Sequence, residues 1–308
     1  MRFYNNILEV IGKTPLLELK KLNNDGFARV FVKLESKNPG GSIKDRPALM
    51  MITEAEKAGL INSETVIIEP TSGNMGVGLA MICAVKGYRI ILTMPESMSL
   101  ERRALLKAYG AELVLTPKEK GMQGAVDKAL ELLKEYPNSF MPQQFSNPAN
   151  PLAHETTTAR EILADLDNKV DIFVAGFGTA GTVCGCGRVL KNFDKNIKII
   201  GVEPETSPLV TKNQAGPHKL QGIGANFIPK NFDRTVIDEV LTANADISMQ
   251  TSRDLARKEG ILCGITAGAN VAKALELAKL PDNKGKNIVT VICDTGERYL
   301  SSELFAND

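Results

Sequence analysis

Asp171-Ile-Phe-Val-Ala175-Gly176-Phe-Gly178-Thr179-Ala180-Gly181-Thr182 decides the fold. Residues 171–175 form an apolar run of strand length, bounded by glycine. Three glycines at G-x-G-x-x-G spacing follow, and residues 181–192 carry a helical pattern. A strand, a tight glycine turn and a helix make the leading half of a βαβ unit. The helix start presents amides that have no partner within the helix, which is a ready site for an anion.

The same alternation runs outward in both directions. Strands are expected at 30–34, 65–69, 89–94, 112–116, 198–203 and 287–292. Helices are expected at 46–58, 75–86, 99–109, 123–134, 152–164, 248–258 and 267–279, with Ser99 as an N-cap. Strands that read as unbroken apolar runs are covered on both faces, so the sheets should be parallel and the class α/β. The alternation breaks at 137–151, where the chain is rich in Pro and Asn, and again at 203–232. Long irregular stretches inside a compact domain usually serve function. No internal repeat or low-complexity tract is present.

The bulk numbers exclude several classes. The chain has 308 residues, 43% hydrophobic and 24% charged, with 37 basic against 36 acidic side chains for a net charge of +1. That is ordinary globular composition, sufficient for two medium domains, and it favours neither a nucleic-acid nor a membrane partner. No apolar run approaches the roughly 18 residues of a membrane helix. The N-terminus lacks a basic start followed by an apolar stretch and a cleavage site, so no signal peptide is expected. The five cysteines, Cys83, Cys184, Cys186, Cys263 and Cys293, are odd in number and lie in apolar segments. Reduced thiols in a cytoplasmic protein are expected. Cys184-Gly185-Cys186 does not have zinc or redox spacing, His154 and His218 are too few, and no metal site is expected.

Three segments can carry chemistry. In the loop after residue 175, Thr179 and Thr182 add hydroxyls to the helix amides, which suits a compact phosphate monoester. The G-x-G-x-x-G spacing, with Glu203 about twenty residues on, also fits a dinucleotide site, so a nicotinamide dehydrogenase is a rival reading. A tight turn for close packing is a third. It is not a P-loop, since no Gly-Lys-Ser/Thr follows. Thr71-Ser72-Gly73-Asn74, after another strand, forms a nest for a carboxylate or an ordinary helix cap. Asn38-Pro-Gly-Gly-Ser42-Ile-Lys44-Asp45-Arg46 frames Lys44 with glycine, serine and a helix start. Near positive helix termini a lysine's pKa falls, and it can serve as a Schiff-base nucleophile and proton carrier, although most lysines are merely exposed.

Taken together with Ile11-Gly-Lys-Thr-Pro-Leu16, Thr93-Met-Pro-Glu96, Gln143-Gln-Phe-Ser-Asn-Pro-Ala-Asn-Pro151, Gly216-Pro-His-Lys-Leu-Gln-Gly-Ile-Gly224 and Gly296-Glu-Arg-Tyr-Leu-Ser301, these segments resemble the cysteine synthase (O-acetylserine sulfhydrylase) family of fold-type II pyridoxal phosphate enzymes over nearly the whole chain. The resemblance implies two parallel-sheet α/β domains of the tryptophan synthase β-like type with the cofactor in the cleft between them. A large cofactor-binding domain would comprise 1–47 and 151–308, and a small mobile domain 48–150. Lys44 would hold pyridoxal 5'-phosphate as a Schiff base and act as the catalytic proton carrier. Asn74 would bond the ring hydroxyl, and Gly178, Thr179, Ala180, Gly181 and Thr182 the phosphate. Thr266, in Gly264-Ile-Thr-Ala-Gly268, would contact the pyridine nitrogen. Thr71, Ser72, Gly73 and Gln144 would take the substrate carboxylate, with Met75, Gly222 and Asn226 also beside the substrate.

The implied reaction is β-replacement through an α-aminoacrylate. O-acetylserine and sulfide would give cysteine and acetate. With cysteine as donor, the same chemistry would release hydrogen sulfide and give lanthionine or serine. A neutral hydroxyl at the pyridine nitrogen makes the ring a weaker electron sink, which disfavours racemisation and transamination. The family also implies a homodimer and a serine acetyltransferase as partner. A cofactor-binding regulatory protein without turnover is a further rival. Several positions depart from the family pattern. Met75 replaces threonine, Ala180 and Asn226 replace glycine, Thr266-Ala267 replaces paired serines, and Asp294-Thr295 precedes Gly296 where small residues are common.

Overall fold

The structure, a computed structural model, describes residues 3–71 and 73–305. Its strands in chain order are β1 (Leu16–Glu18), β2 (Arg29–Leu34), β3 (Val66–Pro70), β4 (Arg89–Pro95), β5 (Glu112–Thr116), β6 (Ser139–Phe140), β7 (Ile172–Gly176), β8 (Lys198–Pro204), β9 (Glu239–Ala243) and β10 (Asn287–Ile292). The α-helices are α1 (Asp45–Lys57), α2 (Asn74–Lys86), α3 (Leu100–Ala108), α4 (Gly121–Glu135), α5 (Ala149–Ala153), α6 (Ala159–Asp165), α7 (Gly181–Phe193), α8 (Leu209–Lys212), α9 (Ala245–Asp254) and α10 (Ile265–Ala278). One π-turn, His154–Thr158, joins α5 to α6, and another, Leu255–Glu259, follows α9.

The chain divides into two compact units. One comprises 3–11 with Asn38–Asn150, and the other Gly12–Lys37 with 151–305. The expected small domain began at residue 48; by compactness 38–47, which include Lys44, fall in the same unit as 48–150.

The first unit is built on a sheet of order β5-β4-β3-β6, parallel throughout. The Val66–Ile68 run and the Ile90–Leu92 run are buried, because helices cover both faces of the central pair. Ile67, Leu79, Ile82, Leu92 and Leu106 form part of one apolar cluster, and Ile68, Ile91, Ala129 and Leu132 form part of another. Ser99 caps α3 by accepting from the Arg102 amide at 3.3 Å. α2 ends at Gly87, whose φ of +79° suits a residue without Cβ.

The second unit carries the sheet β1-β2-β10-β7-β8-β9, parallel except for β1 against β2. Val30, Val32, Val174, Ile200, Ile288 and Val271 belong to its core. Gly268 lets α9 and α10 touch, since a Cβ there would overlap the Ser248 carbonyl and the Ser252 hydroxyl. The strands at 16–18, 139–140 and 239–243, which the sequence pattern did not mark, all lie at sheet edges. In both units the glycine- and serine-rich turns leave the carboxyl ends of β3 and β7, where open α/β sheets bind ligands.

Candidate active site

In the first unit, Lys44 is the N-cap of α1, half-buried, with its amide bonded to the Ser42 hydroxyl at 3.1 Å. The turn before it is fixed by the next residue. Asp45 is fully buried and its Oδ2 accepts from the Gly40 amide. A Cβ on Gly40 would meet that carboxylate at 2.5 Å, so the turn requires glycine. Helix α2 packs close behind. A Cβ on Gly78 would sit 3.1 Å from the Ala48 Cβ and 3.3 Å from the Lys44 carbonyl oxygen.

Thr71 and Gly73 follow β3 and lead into α2. The Thr71 amide bonds the Thr93 carbonyl at 3.1 Å, and the Gly73 amide faces Thr71 Oγ1 at 3.4 Å. Asn74 opens α2, while Ser72 lies outside the described residues. Met75 is 2% exposed and belongs to the apolar cluster of this unit, so its thioether adds to the core. Gln144 is buried in the Pro-rich turn. Its amide and that of Gln143 both reach Glu69 at the end of β3, at 3.2 and 2.9 Å. Burial pushes the Glu69 carboxyl up to about 7, against the opposing pull of the Gln144 and Gln143 amides. Thr71, Gly73, Asn74 and Gln144 are thereby tied to the end of one strand.

In the second unit, Gly178 to Thr182 form the turn from β7 into α7. Thr179 is buried, and the Gly181 amide faces its Oγ1 at 3.4 Å. Ala180 is the N-cap of α7 at φ +62°, ψ 0°, and has no side chain that could cap the helix amides. A left-handed backbone at an L-residue costs about 1–2 kcal/mol. The Thr182 hydroxyl lies 3.3 Å from His154 Nε2, and His154 Nδ1 is 2.9 Å from Thr158 Oγ1. The histidines drew attention in the sequence only as failed metal ligands; His154 instead supports the glycine loop from a π-turn, a feature common at functional sites.

The 216–228 segment closes on this loop. The Gly224 amide bonds the Phe177 carbonyl at 3.1 Å, and a Cβ on Gly178 would lie 2.7 Å from the Gly222 carbonyl oxygen. Gly222 is at φ +101°, and a Cβ there would stand 2.7 Å from Thr266 Oγ1. Thr266 is buried and donates its hydroxyl to the Gln221 carbonyl. Gly178, Gly222 and Thr266 are thus brought together. Asn226, exposed at φ +60°, accepts on Oδ1 from the Ser207 hydroxyl at 2.6 Å; Ser207 Oγ in turn accepts from the Gly216 amide at 3.2 Å. Its side chain pins two loops. Asn270, one turn after Thr266, went unmarked in the sequence. It accepts from the Gly176 amide at 2.7 Å and donates to the Val291 carbonyl at 3.0 Å, holding the start of the glycine loop. Asp294 is buried and accepts from the Tyr299 hydroxyl at 2.7 Å, and Thr295 pairs with Cys263.

Comparison with known proteins places this arrangement. The chain is 52% identical over 305 residues to a cysteine synthase of Staphylococcus aureus, covering 99% of this chain and 98% of that protein. It is 52% identical over 307 residues to a cysteine synthase B of Campylobacter jejuni, covering 99% and 100%. Among solved structures, a hydrogen sulfide-producing enzyme of Fusobacterium nucleatum superimposes with a TM-score of 0.93 at 47% identity, over 97% of this chain and 100% of that one. The model of the family described as "Pyridoxal-phosphate dependent enzyme" matches residues 7–294, and the chain belongs to that family of pyridoxal phosphate-dependent enzymes.

Proposed function

We propose that the chain catalyses β-replacement on a small amino acid, taking O-acetylserine and sulfide to cysteine and acetate. The observation that carries this reading is 52% identity, along almost the whole chain, to two proteins that are cysteine synthases. The residues fit the cofactor. An α-helix of thirteen residues begins at Gly181 with no side-chain cap, flanked by the hydroxyls of Thr179 and Thr182, as a phosphate monoester requires. When bound, pyridoxal phosphate supplies an electron sink conjugated to the α-carbon of the amino acid.

Lys44 would hold the cofactor through Nζ and, once displaced by the substrate's amino group, would take and return the α-proton on that freed amine. Asn74 would bond the ring hydroxyl, and the 178–182 loop would hold the phosphate. Thr71, Ser72 and Gln144 bind and orient the substrate carboxylate. Thr266 would offer the ring nitrogen a neutral hydroxyl once its proton turns from the Gln221 carbonyl, which would keep the ring a moderate sink and favour loss of a β-substituent. The chain acts in the cytoplasm as a homodimer, and a serine acetyltransferase is its proposed partner. The test is to supply O-acetylserine and sulfide to the yellow holoprotein and measure cysteine. Holoprotein that forms no cysteine from these substrates would sink the reading.

A second reading has one observation in its favour, the likeness to the hydrogen sulfide-producing enzyme. With cysteine as donor, a thiolate leaves and a second thiol or water adds. Met75 and Asn226 lend this reading little, since the first is in the core and the second is bonded to Ser207. Sulfide release from cysteine alone, compared with the rate of cysteine formation from O-acetylserine, separates the two.

A further inference from the structure

Glu69 closes the buried strand β3 and is 2% exposed. A carboxylate taken from water into apolar surroundings persists only where hydrogen-bond donors meet it. Here the donors are two consecutive amides of an irregular turn. Oε2 accepts from Gln143 N at 2.9 Å and Oε1 from Gln144 N at 3.2 Å. To bring both amides to one carboxylate the chain turns left-handed at Gln143, φ +54°, a costly conformation for a long side chain. The turn is then locked from behind. The Ser146 and Asn147 amides bond the Gln143 carbonyl at 2.9 and 3.0 Å, and Asn150 Nδ2 donates to the Gln144 carbonyl at 2.8 Å. Gln144 lies outside any helix or strand. Glu69 and Asn150 fix its N–H and its C=O, as a ladder would.

We propose that Glu69 is a positioning residue for the amino-acid substrate. It grips the consecutive amides of Gln143 and Gln144 and so sets where the Gln144 side chain meets the substrate carboxylate. Thr71, two residues after Glu69, is fixed from the same strand end. The inference rests on the reading above, in which Gln144 binds that carboxylate.

The test uses holoprotein and alanine, an amino acid with no group to expel, titrated through the absorbance of the bound cofactor. Glu69→Gln is isosteric, yet an amide has one acceptor oxygen for two N–H donors and turns its NH2 toward the second. At pH 8, where the Glu69 carboxyl is ionised, the expected result is a dissociation constant for alanine raised about 10- to 100-fold, the loss of one hydrogen bond to a charged group. For the reacting substrate, KM should rise in parallel while kcat changes less than about threefold, and the cofactor affinity of the apoprotein should stay within about threefold. Gln144→Ala should weaken alanine similarly, and Glu69→Gln added to it should do nothing more. Should Glu69→Gln fail to fold, Glu69→Asp keeps the charge, withdraws both acceptors by one methylene and carries the same test. If Gln144→Ala weakens alanine but neither Glu69 variant does, the proposal is overturned and the carboxylate assignment stands. Undiminished additivity in the double variant overturns it too. If Gln144→Ala leaves alanine binding unchanged, both fall.

Discussion

Glu69 should also make the stability of the protein depend on pH with an unusual sign. Its carboxyl is raised from 4.5 to about 7 by burial, so the folded chain holds a proton that the unfolded chain has released. A raised carboxyl contributes stability that is fully present below the unfolded value of 4.5 and is lost as pH rises through about 7. The shift from 4.5 to about 7 corresponds to about 3 kcal/mol, at roughly 1.4 kcal/mol per pH unit between about 5 and 6.5. The assay is urea unfolding of the apoprotein and of Glu69→Gln at pH 5, 6, 7 and 8. The difference in unfolding free energy, wild type minus variant, should fall along that slope and flatten near pH 8. Most carboxylates pull the other way, so the subtraction isolates this one. A difference that is flat across the range, or that grows with pH, would show that the two amide bonds outweigh desolvation and that Glu69 is ionised throughout.

Lys44→Ala should leave the far-ultraviolet circular dichroism unchanged while abolishing turnover and the borohydride-fixed cofactor adduct seen by mass spectrometry; near-normal activity would remove Lys44 from its role. Gly178→Ala puts a methyl 2.7 Å from the Gly222 carbonyl oxygen. The methyl is fixed to its Cα and the carbonyl is backbone, so neither can swing aside; the apoprotein should lose about 1–3 kcal/mol and bind pyridoxal phosphate at least about tenfold more weakly. An unchanged melting point and cofactor affinity would mean that the two loops part freely. Asn226→Gly removes the bond to Ser207 but relaxes the backbone at φ +60°, so stability should change by less than about 1 kcal/mol and the ratio of O-acetylserine to cysteine use should hold. A changed ratio would return Asn226 to the substrate.

Where a residue is covered on both sides, its pattern can be read without a structure. β3, β4, β7, β8 and β10 show as apolar runs for that reason, and their boundaries shift by only a residue or so. Of the edge strands only β5 shows; β1 and β6 are two or three residues long, and β9 has one partner and is half-buried along most of its length. Within the site, the glycine loop, the Lys44 turn and the Thr71–Asn74 nest stood out as candidates through chain chemistry; each also fits a packing turn, a helix cap or an exposed lysine, and it was their occurrence together that singled them out. Glu69, His154 and Asn270 did not stand out. Each acts on a residue far off in sequence, over 74, 28 and 94 positions respectively, and a contact of that range leaves no local mark. The one hint was a carboxylate at the end of an otherwise apolar strand.

Backbone strain tells the same story from the other side. Among the described residues, seven that are not glycine adopt a positive φ. Lys13, Asp167, Asn168 and Asn213 lie away from the expected site, and three of these four are Asn or Asp, whose short polar side chains tolerate the left-handed region. The other three are Gln143, beside the expected carboxylate-binding Gln144, and Ala180 and Asn226, which are themselves expected site residues. Asn226 is eased by its own type and by Ser207. Gln143, whose Oε1 accepts from the Ser146 hydroxyl at 3.1 Å, and Ala180 are not of a type that tolerates the left-handed region, so the cost must be met by what surrounds them. For Gln143 that is the pair of amide bonds to Glu69. For Ala180 it is burial at 2% exposure and the helix it starts, whose first backbone bond runs from the Cys184 amide to the Ala180 carbonyl at 3.0 Å. Strain that neighbours must hold is retained where a fixed geometry is worth more than local comfort. By that argument the turn at Gln143 and the turn at Ala180 are built for position, the one presenting a side chain amide and the other a row of helix amides.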